Sequence, residues 1–308
     1  MILCCGEALI DMIPRTTVSG ETGFVPYAGG AVFNTAIALG RLGINTGFIS
    51  GLSKDLMGNV LKSGLEQSEV NTDLAVWSDR PTTLAFVELN DGHASYIFYD
   101  ENTAGRMLSN TDLPTIPNDV AAMYFGGISL VSEPAADFYA ALAVRESTNR
   151  VIMCDPNIRT SFIRDDATYR ARLERIIAHT DILKVSDEDL NWIVPGDQTL
   201  AEKAEALRSE GPEIVILTQG SAGATGFYGT GASVTSPVNK VDVVDTVGAG
   251  DTFNAGFLSY LSKNSVLSRD NLDRIGNAEL KSALAYGAKV AAITVSRAGA
   301  NPPWLHEL

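Results

Sequence analysis

Asp245-Thr246-Val247-Gly248-Ala249-Gly250-Asp251-Thr252-Phe253 decides how the chain is read. It follows a strand-like run, Val241-Asp242-Val243-Val244, and opens a helix whose apolar face is Phe253, Phe257, Leu258 and Leu261. Small residues at a strand-to-helix turn let backbone N–H groups point outward without side-chain obstruction. Those donors and the helix dipole make an anion site. A carboxylate inside an anion site repels the anion unless it has a task of its own. Asp251 fits as a general base that takes a proton from an attacking hydroxyl while the turn holds a transferring phosphoryl group. The plainer reading is a helix N-terminal aspartate favoured by the dipole, with glycines serving only the turn.

Other phosphate-binding plans do not fit. The third glycine of a dinucleotide fingerprint is missing after Gly248-x-Gly250. No Gly-Lys pair occurs anywhere, which excludes a Walker A loop.

The rest of the composition narrows the class. A chain of 308 residues is long enough for one large α/β domain or two modest ones. With 45% hydrophobic and 19% charged residues it is an ordinary globular chain and not a disordered one. A net charge of −14 excludes charge-driven affinity for nucleic acid or anionic lipid, so a polyanionic ligand must be held by local devices. Cys4 and Cys5 are adjacent and Cys154 is alone, which points to a reducing compartment. The N-terminus has no basic region before its apolar stretch and does not read as a signal peptide. No apolar run reaches the roughly 18 residues of a membrane span. His93, His179 and His306 are far apart, which argues against a histidine metal site or a histidine-centred triad.

The hydrophobic pattern predicts strands at 122–127, 150–155, 181–186 and 213–218, and helices at 134–146, 168–179, 187–193 and 199–209. Ile2 to Ile10 reads as a buried strand interrupted by Gly6-Glu7. Asn34–Leu42 and Leu56–Leu65 read as helices, Thr46–Leu52 as a strand. Glycine-punctuated short strands are expected over 224–244, and closing helices near 250–262 and 278–293. This rhythm predicts an α/β fold, a mostly parallel central sheet with helices on both faces. Thr82–Leu89 and Ala94–Tyr99 break the rhythm as a β hairpin around Asn90-Asp91-Gly92. With the extended Gly23–Ala28 they read as a small β insertion able to cover a site. No composition break argues for a second domain.

The run at 245–253 resembles the C-terminal signature of the ribokinase-like sugar kinase family. Gly29-Gly30-Ala31-Val32-Phe33-Asn34 resembles that family's N-terminal signature. Asp155-Pro156-Asn157-Ile158-Arg159, Thr218-Gln219-Gly220-Ser221-Ala222-Gly223 and Arg297-Ala298-Gly299-Ala300 each resemble a further family element in its expected place. The resemblance covers essentially the whole chain. It implies a single kinase domain over 1–308, with segments 12–28 and 82–105 forming a β lid.

The resemblance also implies roles. Asp251 matches the catalytic base, and Gly248, Ala249 and Gly250 match the anion hole. Asp11, Gly29, Gly30, Asn34 and Arg159 are expected at the substrate. The local chemistry agrees, since a carboxylate accepts two hydroxyl donors and an Asn both donates and accepts. Asn34 could also serve as a helix N-cap. Asn157, Ser186, Thr218, Gly220 and Gly223 are expected at the nucleotide. The family's Asn-x-x-Glu element is altered here to Ser186-Asp187-Glu188-Asp189, with Asp189 expected to order Mg²⁺ through water. Asp245 and the carbonyls of Val247, Arg297 and Gly299 match a K⁺ site, although Pro303 stands where some members have a Ser ligand. ATP, Mg²⁺ and K⁺ are therefore the expected cofactors, in a cytoplasmic enzyme that dimerises through its lid.

Gly6-Glu7-Ala8-Leu9-Ile10-Asp11-Met12 and the run Asp100–Leu108 look like those of bacterial fructokinases, so fructose is the expected acceptor and fructose 6-phosphate the product. The competing acceptors are 2-keto-3-deoxygluconate, ribose and nucleosides. Convergence of two among Arg106, Arg159 and Arg164 on the sugar pocket would favour a carboxylate-bearing acceptor. A non-catalytic sugar or nucleotide sensor on the same fold would be expected to lose Asp251 or the glycines.

Overall fold

The computed structural model describes residues 1–90 and 93–308. Its strands follow from short β-branched and apolar runs such as Ile214–Thr218 (IVILT) and Val151–Asp155 (VIMCD). Such runs are apolar on both faces, as a sheet covered on both sides requires. Alternation along Ile2–Cys5 shows this directly. Ile2 and Cys4 enter one core, while Leu3 and Cys5 enter the other. The three cysteines are buried and unpaired.

The main sheet has nine strands. Their order is Ala232–Ser236, Ala224–Tyr228, Ile214–Thr218, Ile182–Ser186, Val151–Asp155, Ala122–Gly126, Ile2–Cys5, Thr46–Ile49 and Val70–Asn71. All neighbours pair in parallel except at the edge formed by Ala224–Tyr228 and Ala232–Ser236. The expected α/β architecture is thus observed.

At Gly6-Glu7 the chain leaves this sheet. Leu9–Thr16 joins a second sheet of four strands, ordered Thr22–Gly29, Leu9–Thr16, Leu84–Asn90, His93–Tyr99. The interruption read in Ile2–Ile10 is therefore a change of sheet. Leu84–Asn90 and His93–Tyr99 pair antiparallel from Leu84↔Tyr99 to Asn90↔His93. The Asp91-Gly92 part of the expected turn lies outside the described residues. Thr46–Leu52 is likewise split, with Thr46–Ile49 in the main sheet and Gly51–Ser53 paired to Val76–Ser78.

Two expectations need correction. Val241–Val244 is not a strand. The main sheet ends at Ala232–Ser236; the run leaves that edge unpaired, its Val244 N–H donates instead to the Val295 carbonyl at 2.8 Å, and Val243 and Val244 are exposed. Asn34 is not an N-cap: its helix runs Ala31–Arg41 and is capped at Gly30, which places Asn34 inside the first turn.

The helix Ala249–Lys263 lies against Asn277–Val295 and Ala31–Arg41. Glycines permit the close approach to Asn277–Val295. A Cβ on Gly256 would fall 2.8 Å from Gly287 Cα, and one on Gly287 would fall 2.9 Å from the Phe253 carbonyl. No helix among the described residues is long and apolar enough to cross a membrane. Gly256→Ala is expected to overpack this crossing and cost about 1–3 kcal/mol. Equilibrium urea unfolding checks this, and an unchanged midpoint would count against the close-packed crossing.

Candidate active site

Gly248 stands at φ +78°, in the left-handed region that glycine adopts freely. A Cβ there would also meet Ala300 Cβ at 2.7 Å. Gly248 caps Ala249–Lys263 without any side-chain cap. The first-turn N–H groups of a helix have no partner within it, so this end is left open to a ligand. Asp251 sits in the same turn and is 7% exposed. Asn34 Nδ2 donates to its Oδ2 at 2.9 Å, and Thr35 Oγ1 donates to its carbonyl at 3.1 Å. Burial pushes the Asp251 carboxyl up to about 7; the Asn34 donor opposes this, the Asp155 charge adds to it, and Lys184 opposes it.

Asp251 looks into a cleft of about 720 Å³. Glu7, Asp11, Gly30 and Asn34 form one wall, and Tyr96, Phe98, Asn157, Arg159 and Phe162 another. Tyr96 and Phe98 come from the four-stranded sheet, which therefore contributes to the cleft lining. Asp11 is pushed up to about 6 by burial. Its carboxylate needs the glycine beside it, because a Cβ on Gly29 would fall 2.3 Å from Oδ2. Beneath the anion turn lies a buried polar network. Lys184 Nζ donates to Asp155 Oδ2 at 2.9 Å, and Asn254 Nδ2 donates to the same oxygen at 2.7 Å. Burial favours the neutral amine of Lys184, but the Asp155 carboxylate outweighs it, and the pKa of the ammonium stands above its ordinary value.

A second cavity of about 620 Å³ adjoins the first. Thr246, Ala249 and Gly250 line both. The second is largely apolar, with Val243, Phe253, Ala288, Ala292 and Val295 in its walls and Thr218, Gly220 and Gly223 at its edge. Sharing the anion turn, a polar cleft and an apolar slot can hold two reactants on either side of one phosphoryl position.

The sequence-read residues mostly converge. Asp251, Gly248, Ala249, Gly250, Asp11, Gly30, Asn34, Asn157 and Arg159 line the cleft. Gly29 stands just behind, against Asp11. Asp245 Oδ1 accepts the Val247 N–H at 3.0 Å and its Oδ2 accepts the Gly299 N–H at 2.9 Å, which ties the turn to the 297–299 loop. The Arg297 side chain turns away to Glu307. Ser186 and Asp189 line neither cavity. They close a capping box on the helix Asp187–Ile193, and Asp189 Oδ1 accepts the Ile158 N–H at 2.9 Å. The contact of Ser186 with nucleotide and the Mg²⁺ role of Asp189 gain no support from these positions. Glu7, Lys184, Asp155 and Asn254 belong to the site as well, beyond the residues to which the sequence motifs assign roles. Their signal was a polar group in an apolar setting, as in Ile182-Leu183-Lys184-Val185.

Comparison with known proteins gives the family. The profile of the pfkB family carbohydrate kinase matches residues 1–307. A fructokinase of Rhizobium leguminosarum bv. trifolii is 51% identical over 270 residues, covering 87% of this chain and 82% of the relative. Probable fructokinase-5 of Arabidopsis thaliana is 30% identical over 309 residues, 98% of this chain and 93% of that one. A solved fructokinase with bound ATP from Xylella fastidiosa aligns with a TM-score of 0.86 at 26% identity, over 97% of this chain and 93% of that chain. The chain belongs to the pfkB family of carbohydrate kinases. It is a sugar kinase of ribokinase-like fold, as the resemblance implied.

The raised pKa of Asp251 has two opposite consequences. As a base it must be ionised, so kcat/KM is expected to rise with pH and reach half its plateau near pH 7. The ordinary pKa of an unfolded Asp is about 3.9. Between about pH 4 and 7 the folded state binds more protons than the unfolded one, so this group makes stability fall as pH rises. Asp251→Asn is expected to lower kcat by roughly 10²–10⁴-fold and to raise the thermal midpoint at pH 8. Near-normal turnover, or a lower midpoint at that pH, would contradict the assignment.

Proposed function

We propose that this kinase transfers the γ-phosphoryl group of ATP to fructose and yields fructose 6-phosphate. The observation that carries the reading is the meeting of the polar cleft and the apolar slot at Ala249 and Gly250, beside the Asp251 carboxylate. The slot suits the base of a nucleotide, with Thr218, Gly220 and Gly223 along its edge. The open helix end suits its phosphates. Asp251 accepts the proton of the acceptor hydroxyl, and the Gly248–Gly250 turn takes up the negative charge of the moving group. Asp11, Gly30 and Asn34 bind the remaining hydroxyls, with Gly29 giving Asp11 its room. Lys184 places one positive charge on the cleft floor.

Arginine placement supports a neutral acceptor. Of Arg106, Arg159 and Arg164, Arg159 alone lines this cleft. Arg106 donates to Asp100 at 2.9 Å, and it lines a neighbouring cavity together with Arg164. A bidentate clamp for a sugar-acid carboxylate is thus absent from the described residues of the cleft. The relative of 51% identity carries the name fructokinase, in agreement with fructose.

Mg²⁺ is brought by the nucleotide, whose phosphates supply most of its ligands. No group of three His, Cys, Asp or Glu able to hold a metal occurs among the described residues. K⁺ fits beside the turn, where Asp245 and Gly299 are already joined. It would steady the anion hole through Asp245 and the carbonyls of Val247, Arg297 and Gly299. The four-stranded sheet acts as the lid that excludes water. Phe24, Tyr27, Ile97 and Tyr99 are exposed on it, and we assign them to the interface of a homodimer. The reducing-compartment reading of the cysteines favours the cytoplasm.

ADP release across fructose, 2-keto-3-deoxygluconate, ribose and adenosine, run in potassium and in choline chloride, tests the reading. Fructose is expected to lead by at least about tenfold in kcat/KM, and potassium to raise the rate. A lead for any other acceptor moves the substrate and leaves the kinase standing. Light scattering is expected to give twice the chain mass, and Tyr99→Asp to return the monomer; a wild-type monomer at micromolar concentration removes the dimer.

A further inference from the structure

Helix Ala31–Arg41 starts at Gly30 with no side-chain cap of its own. Its first N–H groups still need acceptors. Glu7 supplies them from another element. Its Oε1 accepts from Ala31 N at 2.9 Å and from Val32 N at 3.4 Å, and its Oε2 accepts from Ser129 N at 3.2 Å. One carboxylate thus fastens the helix start to the turn Gly127–Leu130. Gly127 makes room for it, because a Cβ there would fall 2.2 Å from Oε1. One turn further along the same helix, Asn34 reaches Asp251.

We propose that Glu7 is a positioning residue for phosphoryl transfer: by capping Ala31–Arg41 from outside, it sets the Asn34 amide against the Asp251 carboxylate. The proposal rests on the reading of Asp251 as the base. Burial raises the pKa of the Glu7 carboxyl, while the Ser129 and Val32 donors oppose this and favour its charged form, and in that form Glu7 also bears on Asp251 through its charge. The groups that bear on Asp251 are Asp155 and Lys184 from two adjacent strands, Asn34 from the capped helix, and Glu7; Asp11 and Arg159 line the same cleft. Burial is the main cause of the raised Asp251 pKa, and the Glu7 charge adds to it.

A double-mutant cycle separates positioning from general support of the fold. Steady-state rates and pH profiles are measured for wild type, Glu7→Gln, Asn34→Ala and the double variant, with Asp251→Asn as control. Glu7→Gln is expected to lower kcat about 10–100-fold with KM for ATP changed less than about twofold. Added to Asn34→Ala, the same change is expected to cost less than about threefold. Loss of the Glu7 charge lowers the Asp251 pKa, so the acid limb of kcat/KM moves to lower pH. Equal losses in both backgrounds, or an unmoved acid limb, overturn the proposal. Should Glu7→Gln not fold, Glu7→Asp replaces it: the charge stays and the carboxylate is withdrawn by one methylene. The same coupling to Asn34 is then expected with the limb in place, and additive losses overturn it. Retained turnover in Asp251→Asn would place the failure in the base assignment instead.

Discussion

The hydrogen bond from Asn34 Nδ2 to Asp251 Oδ2 joins two helix N-termini that are 217 residues apart in the chain. The rest of the molecule can be understood as what keeps those two ends facing each other. Both helices begin at glycines with positive φ, Gly30 and Gly248. Both therefore lack a side chain where others would cap themselves. At the first the Glu7 carboxylate takes the leading N–H donors, whereas the second has no such carboxylate and faces the cleft. The parallel sheet fixes their separation, because both helices pack on the same side of it, in one core with Ile2 and Cys4.

Electrostatics follow the same local logic. A chain of net charge −14 must attract a polyanion by short-range means. Oriented N–H groups carry no net charge and keep their direction at any ionic strength, which makes them suited to the task. Lys184 adds a full charge, but Asp155 neutralises most of its field at a distance. The burial of Asp251 fits this economy. A carboxylate of ordinary pKa would stay ionised with little inclination to take a proton, whereas one pushed up to about 7 accepts it readily. The protein gives up some stability at neutral pH to hold it there.

The glycine turn, the Gly29-Gly30 pair and the strand-helix rhythm were legible because their physics is local. Gly248 must be glycine for its own φ, and the apolar period of the helix after it needs no partner to be seen. Val241–Val244 has the local pattern of a strand, yet strand formation depends on pairing, and its Val244 N–H goes to the C-terminal end of the helix Asn277–Val295 instead. Glu7 and Lys184 were visible as charges in apolar runs, but their partners come from elements distant in sequence. Ser186 and Asp189 mark the same limit from the other side. Their spacing of three suits a capping box as well as a ligand pair, and only the fold shows the box to be made.

The strand Ile2–Cys5 lies in the middle of the main sheet, between Ala122–Gly126 and Thr46–Ile49. During synthesis this strand therefore waits for its Ala122–Gly126 neighbour, which is made more than a hundred residues after it. Asp251 and its helix come later still, and the helix Asn277–Val295 that packs on them comes after both. A nascent chain that stops before Thr246 has the Asp11 and Asn34 side of the cleft but neither Asp251 nor the Gly248–Gly250 turn. It also leaves bare the apolar sheet face that Phe253, Phe257 and Leu284 would cover. Such a product is a substrate for chaperones and proteases before it is a kinase. Burial of this sheet face and completion of the cleft are thus reached together, once residues 246–295 have been made.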